Sequence, residues 1–91
     1  MKSRDTLVRL KRFQVEEKRR RIIQLNAMIA EFTRMANDLD REIATEEQRV
    51  NIADTNHYAY PTYARAARTR RDNMVASVNE LRGQLEEAEA R

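Results

Sequence analysis

A repeat of apolar residues between positions 22 and 50 limits this chain to one kind of helical fold. The apolar residues are separated alternately by three and four positions, with one interruption at Glu46. A spacing of about 3.5 residues keeps one stripe of a helix facing a second helix in a left-handed coiled coil, whereas a half-buried strand would alternate every second residue. The stripe consists of Ile22, Leu25, Ile29, Phe32, Ala36, Leu39, Ile43 and Val50.

A second stripe with the same spacing follows a short polar segment. Residues 51–61 contain Asn, Asp and Thr, whose side chains favour local hydrogen bonds over a continuing helix, and they end at Pro61. We therefore predict helix 1 from about residue 4 to 50, capped by Ser3 or Asp5, a turn over 51–61, and helix 2 over 62–91. The second stripe consists of Tyr60, Ala64, Ala67, Arg71, Met74, Val78, Leu81, Leu85 and Ala88.

Two such helices joined by about ten residues fold back on each other. The sequence thus predicts an all-α fold, a single antiparallel two-helix coiled-coil hairpin over residues 1–91. One Gly and one Pro in 91 residues agree with long helices. Arg71 lies on the stripe, and because an unpaired buried guanidinium is costly, we expect it to reach Asp38 or Glu42.

The two helices differ in length, and this predicts an N-terminal overhang on the long first helix. Helix 2 can cover only residues 21–50, which leaves residues 1–20 without a partner. Three partners are open: a continuation of about twenty residues after Arg91, another protein, or a second chain. No helix stop signal precedes Arg91, so we expect that a C-terminal extension of the hairpin is missing from the sequence.

The net positive charge of the chain lies at this same end. Residues 1–21 carry nine basic and three acidic side chains, net +6, whereas residues 22–50 are net −3 and residues 51–91 are neutral. This pattern fits either a solvated face with ion pairs four residues apart or a docking site for an acidic partner. Val8 and Val15 continue the first stripe backward, with Lys11 and Lys18 in its alternate positions.

The residue inventory argues against an enzyme. The chain has no Cys and one His, which excludes a His/Cys metal cluster, and it lacks a Gly-rich phosphate loop and any nucleophile–base pair. We predict no cofactor, no catalytic residue and no direct membrane insertion, together with a cytoplasmic location. Three tyrosines cluster at the predicted hairpin tip, where they either close the end of the stripe or bind a partner: Tyr58, Tyr60 and Tyr63.

Two stretches flanking the first stripe resemble a known family. The opening MKSRDTLVRLKRFQVEEKRR and the segment AYPTYARAAR at 59–68, with RRDN at 70–73, look like flagellar export protein FliJ homologues of alphaproteobacteria. The resemblance implies an antiparallel coiled coil like the stalk of a rotary ATPase gamma subunit. It also implies a place at the flagellar base by the inner membrane, in type III protein export. The implied partners are the hexameric export ATPase, which the family activates, the membrane export gate protein and export chaperones.

The charge of the N-terminal segment, its apolar residues and the family resemblance all indicate a partner-binding site there. We expect its apolar residues to pack inside the ATPase ring and its arginines to meet acidic surfaces of the ring. Two alternatives are open: a basic arm that binds nucleic acid, not expected because the rest of the chain is neutral or acidic, and a purely structural dimerising coiled coil. The residues assigned to the ring are Leu7, Arg9, Leu10, Arg12, Phe13, Arg19, Arg20 and Arg21.

Overall fold

The protein is a narrow rod made of two long helices. A computed structural model describes residues 2–90, with α1 at Lys2–Val50 and α2 at Thr62–Ala90. The helices run antiparallel in a particle of 75 × 17 × 15 Å. At a rise of about 1.5 Å per residue, α1 alone accounts for nearly the whole length of the rod. The predicted all-α antiparallel hairpin with a longer first helix is therefore confirmed.

Both helix starts follow simple backbone rules, although α1 begins earlier than predicted. α1 begins at Lys2, so Ser3 and Asp5 lie within its first turn and do not cap it. The Asp5 carboxylate there still suits the positive end of the helix dipole. α2 starts directly after Pro61, whose carbonyl accepts the first helical hydrogen bond from the Arg65 N–H at 3.0 Å.

The predicted stripes form the seam between the helices. Every predicted stripe residue is buried or half-buried, and the centre of the seam is a cluster of Leu39, Ile43 and Ala67, with Met74 packed against it. Near the turn, the seam positions of α2 hold the small side chains of Ala64 and Ala67, which need little room between the helices. The most buried residues are Leu25, Ala36, Leu39, Ile43, Tyr60, Ala64, Ala67, Val78 and Leu81.

Arg71 reaches the edge of the seam but not the partner that was predicted. Its Nη1 donates to Asp40 Oδ1 at 2.6 Å, and this bond raises the pKa of the guanidinium. The prediction of Asp38 or Glu42 is wrong because both have other partners: Asp38 pairs with arginines of its own helix and Glu42 accepts a bond from Tyr63. The half-buried guanidinium is nevertheless paired, as its desolvation requires.

A left-handed residue ends α1. Asn51 has a φ of 57°, and the N–H of Ile52 donates to the carbonyl of Glu47 at 3.2 Å while the Asn51 N–H donates to that of Gln48 at 3.3 Å. These two bonds form a Schellman cap, which satisfies carbonyls that the last helical turn leaves free. Asn tolerates the left-handed conformation better than most other non-glycine residues, so its position sets where the chain turns.

Replacing Asn51 tests whether the left-handed cap defines the turn. We expect Asn51→Ala to lower the free energy of unfolding by about 1 kcal/mol, because Ala is strained at positive φ, and Asn51→Gly to leave it equal or higher. Urea unfolding followed by far-UV circular dichroism measures both changes. If Asn51→Ala and Asn51→Gly were equally stable, the left-handed cap would not define the end of α1.

Candidate partner-binding surfaces

The first sixteen described residues of α1 extend beyond α2. All of residues 2–17, called the overhang below, are exposed, and burial begins at Lys18. Near this end the helices are joined by bonds from Lys18 Nζ to the Glu89 carbonyl at 3.4 Å and from Arg21 Nη2 to Gln84 Oε1 at 2.8 Å. The unpaired N-terminal segment predicted from the sequence is thus present, and it ends about one turn earlier than predicted.

The overhang displays five large apolar side chains of the kind that helices usually bury. Each is 48–56% exposed. Val8 and Val15 are in phase with the seam, whereas Leu10 and Phe13 lie on another face, because residues two apart on a helix are separated by about 200°. The overhang therefore carries a continuation of the seam and, away from it, a separate apolar face. The five residues are Leu7, Val8, Leu10, Phe13 and Val15.

Two of the arginines assigned to the ring already have partners inside the protein. Arg20 forms an ion pair with Glu17 one turn earlier on α1. Arg21 donates to Gln84 and so joins α1 to α2. Both side chains contribute to the local structure, and a ring surface would have to compete with these bonds.

Three other assigned arginines are differently placed. Arg9, Arg12 and Arg19 have no ion pair or hydrogen bond with any of residues 2–90. These guanidinium groups can meet an acidic surface without breaking a bond in the described part of the chain. The N-terminal end thus presents apolar area and available positive charge together.

The three tyrosines near the tip have different environments. Tyr58 is 97% exposed, and its ring stacks on His57 with centroids 4.6 Å apart. Tyr63 is half-exposed, and its hydroxyl donates to Glu42 Oε1 at 3.1 Å, which raises the pKa of Tyr63. Tyr60 is buried in the end of the seam, so the structure places only Tyr58 and Tyr63 on the surface of the predicted tip site.

Tyr60 joins the two helices through a hydrogen-bonded triad with Glu47 and Arg68. Its hydroxyl donates to Glu47 Oε2 at 2.7 Å and accepts from Arg68 Nε at 2.7 Å, while Arg68 Nη2 donates to Glu47 Oε2 at 2.8 Å. The bonds from Arg68 and Tyr60 lower the pKa of Glu47. This triad was not predicted from the sequence, although Glu47 and Arg68 flank the two stripes with opposite charges near the turn.

An open groove lies where α2 ends against α1. Its volume, open to solvent, is about 920 Å³. Its α1 wall includes Lys11, Val15 and Lys18, and its α2 wall includes Gln84 and Ala88. The groove thus joins the paired seam to the continuation of the seam on the overhang, so a helix placed there would extend the coiled coil.

The rest of the described surface was searched for a metal site and a membrane span. Within residues 2–90, no group of His, Cys, Asp and Glu side chains is arranged to hold a metal ion. Over the same residues, neither helix is apolar over a length sufficient to span a bilayer. The features that stand out are therefore the overhang, the groove and the hairpin tip.

The triad predicts a pH-dependent contribution to stability. Because the folded-state pKa of Glu47 is lowered, its stabilisation is present above the ordinary titration range of a carboxyl group and is lost as pH falls through the folded-state pKa. We expect Glu47→Gln to lower the urea midpoint at neutral pH, and the difference from wild type to shrink below about pH 4. Glu86→Gln, at an exposed position of α2, is the matched control. Equal midpoints for wild type and Glu47→Gln at neutral pH would contradict this role of the triad.

The chain was compared with protein-family models, with curated proteins and with solved structures. None of the three comparisons gave a match.

Proposed function

We propose that this protein is a non-enzymatic component of the flagellar type III export apparatus. It acts as a central stalk that binds and activates the hexameric export ATPase and couples it to the membrane export gate protein and to export chaperones. It works in the cytoplasm, at the flagellar base beside the inner membrane. The support for this proposal is the resemblance of two stretches to the FliJ family, together with the surface of the overhang.

The overhang is the observation that carries the proposal. A rod about 75 Å long and 17 Å wide can connect partners at its two ends, and within residues 2–90 five exposed apolar side chains cluster at the N-terminal end. Leu10 and Phe13 offer apolar side chains for a hot spot inside a ring, since a few buried interface residues carry most of the binding energy. Tyr58 remains available at the opposite end for a second partner.

Charge supports the same assignment. Arg9, Arg12 and Arg19 have no partner among residues 2–90, and the net +6 of residues 1–21 would speed encounter with an acidic surface. These arginines therefore need not be withdrawn from bonds that stabilise the hairpin. The hairpin next to the overhang then forms the preformed part of the stalk.

ATP turnover by the cognate export ATPase, titrated with this protein, tests the proposal. We expect stimulation that saturates near one chain per hexamer. Leu10→Ser/Phe13→Ser should require at least about tenfold more protein for half-maximal stimulation, because it removes the apolar contact without touching the seam. Its far-UV circular dichroism should stay helical.

The matched control is Ile23→Ser/Val75→Ser, which removes exposed apolar side chains from the paired part of the rod. This variant should stimulate like wild type. Full stimulation by Leu10→Ser/Phe13→Ser would contradict the assignment of the overhang to the ring. If the wild-type protein has no effect and instead binds duplex nucleic acid with a steep salt dependence, the basic-arm alternative replaces the proposal.

A further inference from the structure

The seam of α1 changes its chemistry where α2 stops covering it. In the paired region, both kinds of seam position are apolar, as in Ile22 with Leu25. At intervals of seven residues before Ile22, the first core position of the heptad is occupied by Val15 and Val8. At the same intervals before Leu25, the second core position is occupied by a basic residue each time. The basic positions are Lys18, Lys11 and Arg4. The overhang therefore carries its own seam, in which valine alternates with a cation.

The structure leaves this second seam open. Val8 and Val15 are each 48% exposed, and Lys11, Val15 and the half-buried Lys18 line the groove beside the end of α2. Lys18 also donates to the Glu89 carbonyl in the last described turn of α2, where a cation suits the negative end of the helix dipole. The open face thus begins directly at the end of the paired one and in the same helical phase.

The alternation of valine and cation defines what can cover this face. A covering helix must place apolar side chains over Val8 and Val15, and it must place carboxylates near Arg4 and Lys11, because a cation enclosed in a seam without a partner is strongly unfavourable. A second copy of this chain would bring a second set of cations into the same seam. Charge complementarity therefore favours an acidic helix and disfavours self-association.

We propose that the seam of the overhang is a coiled-coil docking site for an acidic amphipathic helix of a partner protein. The partner helix carries an apolar residue at one core position of each heptad and Asp or Glu at the other. Docking extends the two-helix coiled coil past the end of α2 over about two further heptads. The site lies on a different face of α1 from Leu10 and Phe13, and it does not depend on the partner being an export ATPase.

Two designed peptides of about three heptads test the site, one with Leu and Glu at its core positions and one with Leu and Lys. Neither self-associates strongly, because like charges meet in its own seam. Fluorescence anisotropy of the labelled peptides, titrated with the full chain near physiological salt, should show binding of the Glu peptide and at least about tenfold weaker binding of the Lys peptide. Equal binding of the two peptides, or no binding of either, would overturn the proposal. Loss of Glu-peptide binding in a chain that continues past Arg91 would overturn it as well, because α2 itself would then cover the seam.

Charge-reversal variants distinguish specific pairing in the seam from nonspecific electrostatic attraction. Arg4→Glu/Lys11→Glu should weaken binding of the Glu peptide about tenfold or more and create binding of the Lys peptide. Lys2→Glu/Arg9→Glu changes the net charge equally at exposed positions outside the seam, so it should keep the preference of the wild type. If both variants weakened binding of the Glu peptide equally, the attraction would be nonspecific and electrostatic, and the proposal would be overturned.

Light scattering adds an independent readout. We expect the wild-type chain to be monomeric at micromolar concentration, because two copies of the seam repel each other. A dimer that Val8→Ser/Val15→Ser dissociates would show that a second copy covers the seam, and it would overturn the proposal.

Loss of ATPase stimulation in Leu10→Ser/Phe13→Ser reports on the other face of the overhang. The proposed function and the proposed docking site can therefore fail independently of each other.

Discussion

The unequal length of the two helices determines how much of this structure is buried and how much is left open. A lone helix in water gains little stability from its own hydrogen bonds, and an amphipathic helix gains most of it by burying its apolar stripe against another element. α2 has 29 residues and packs along only part of α1, which has 49 residues. Burial therefore begins at Lys18, and the described residues before it form an exposed helix attached to a paired base.

The far end of the rod shows how the pairing of the helices is set. Asn51 stops α1 with a left-handed cap, Pro61 precedes α2, and the triad of Tyr60, Glu47 and Arg68 joins the helices next to the turn. A coiled-coil seam alone tolerates a slip of one heptad, because each heptad presents a similar surface to its partner. Specific polar contacts beside the turn oppose such a slip, and they thereby set how much of α1 remains uncovered.

The fold could be predicted from the sequence because it depends on a periodic signal. Each residue assigned to a stripe lies in the seam, since the 3.5-residue spacing leaves one possible face. The partner of Arg71 was predicted wrongly, because several acids lie within reach of a long side chain and the choice depends on what else binds them. The burial of Tyr60 agrees with its place on the stripe, but its bonds to Glu47 and Arg68 depend on the three-dimensional path of the turn.

The surfaces of the overhang were only partly predictable. Its apolar residues and net charge are visible in the sequence, and so is the unpaired length. The helical phase already separates Val8 and Val15 from Leu10 and Phe13 in the sequence, whereas the residue at which burial begins, Lys18, is known only from the structure. A partner that binds the overhang would supply its own acidic groups, and no pattern within this chain encodes where they lie.

Hydrogen exchange measured by mass spectrometry, with and without the cognate export ATPase, tests most directly whether the overhang is the ring-binding end. We expect rapid exchange of residues 2–17 in the free protein, because no part of α2 covers them, and strong protection in the complex. Exchange around the hairpin tip should change little when the ATPase binds. Protection confined to the tip, with the overhang still exchanging rapidly in the complex, would contradict the assignment of the overhang to the ring.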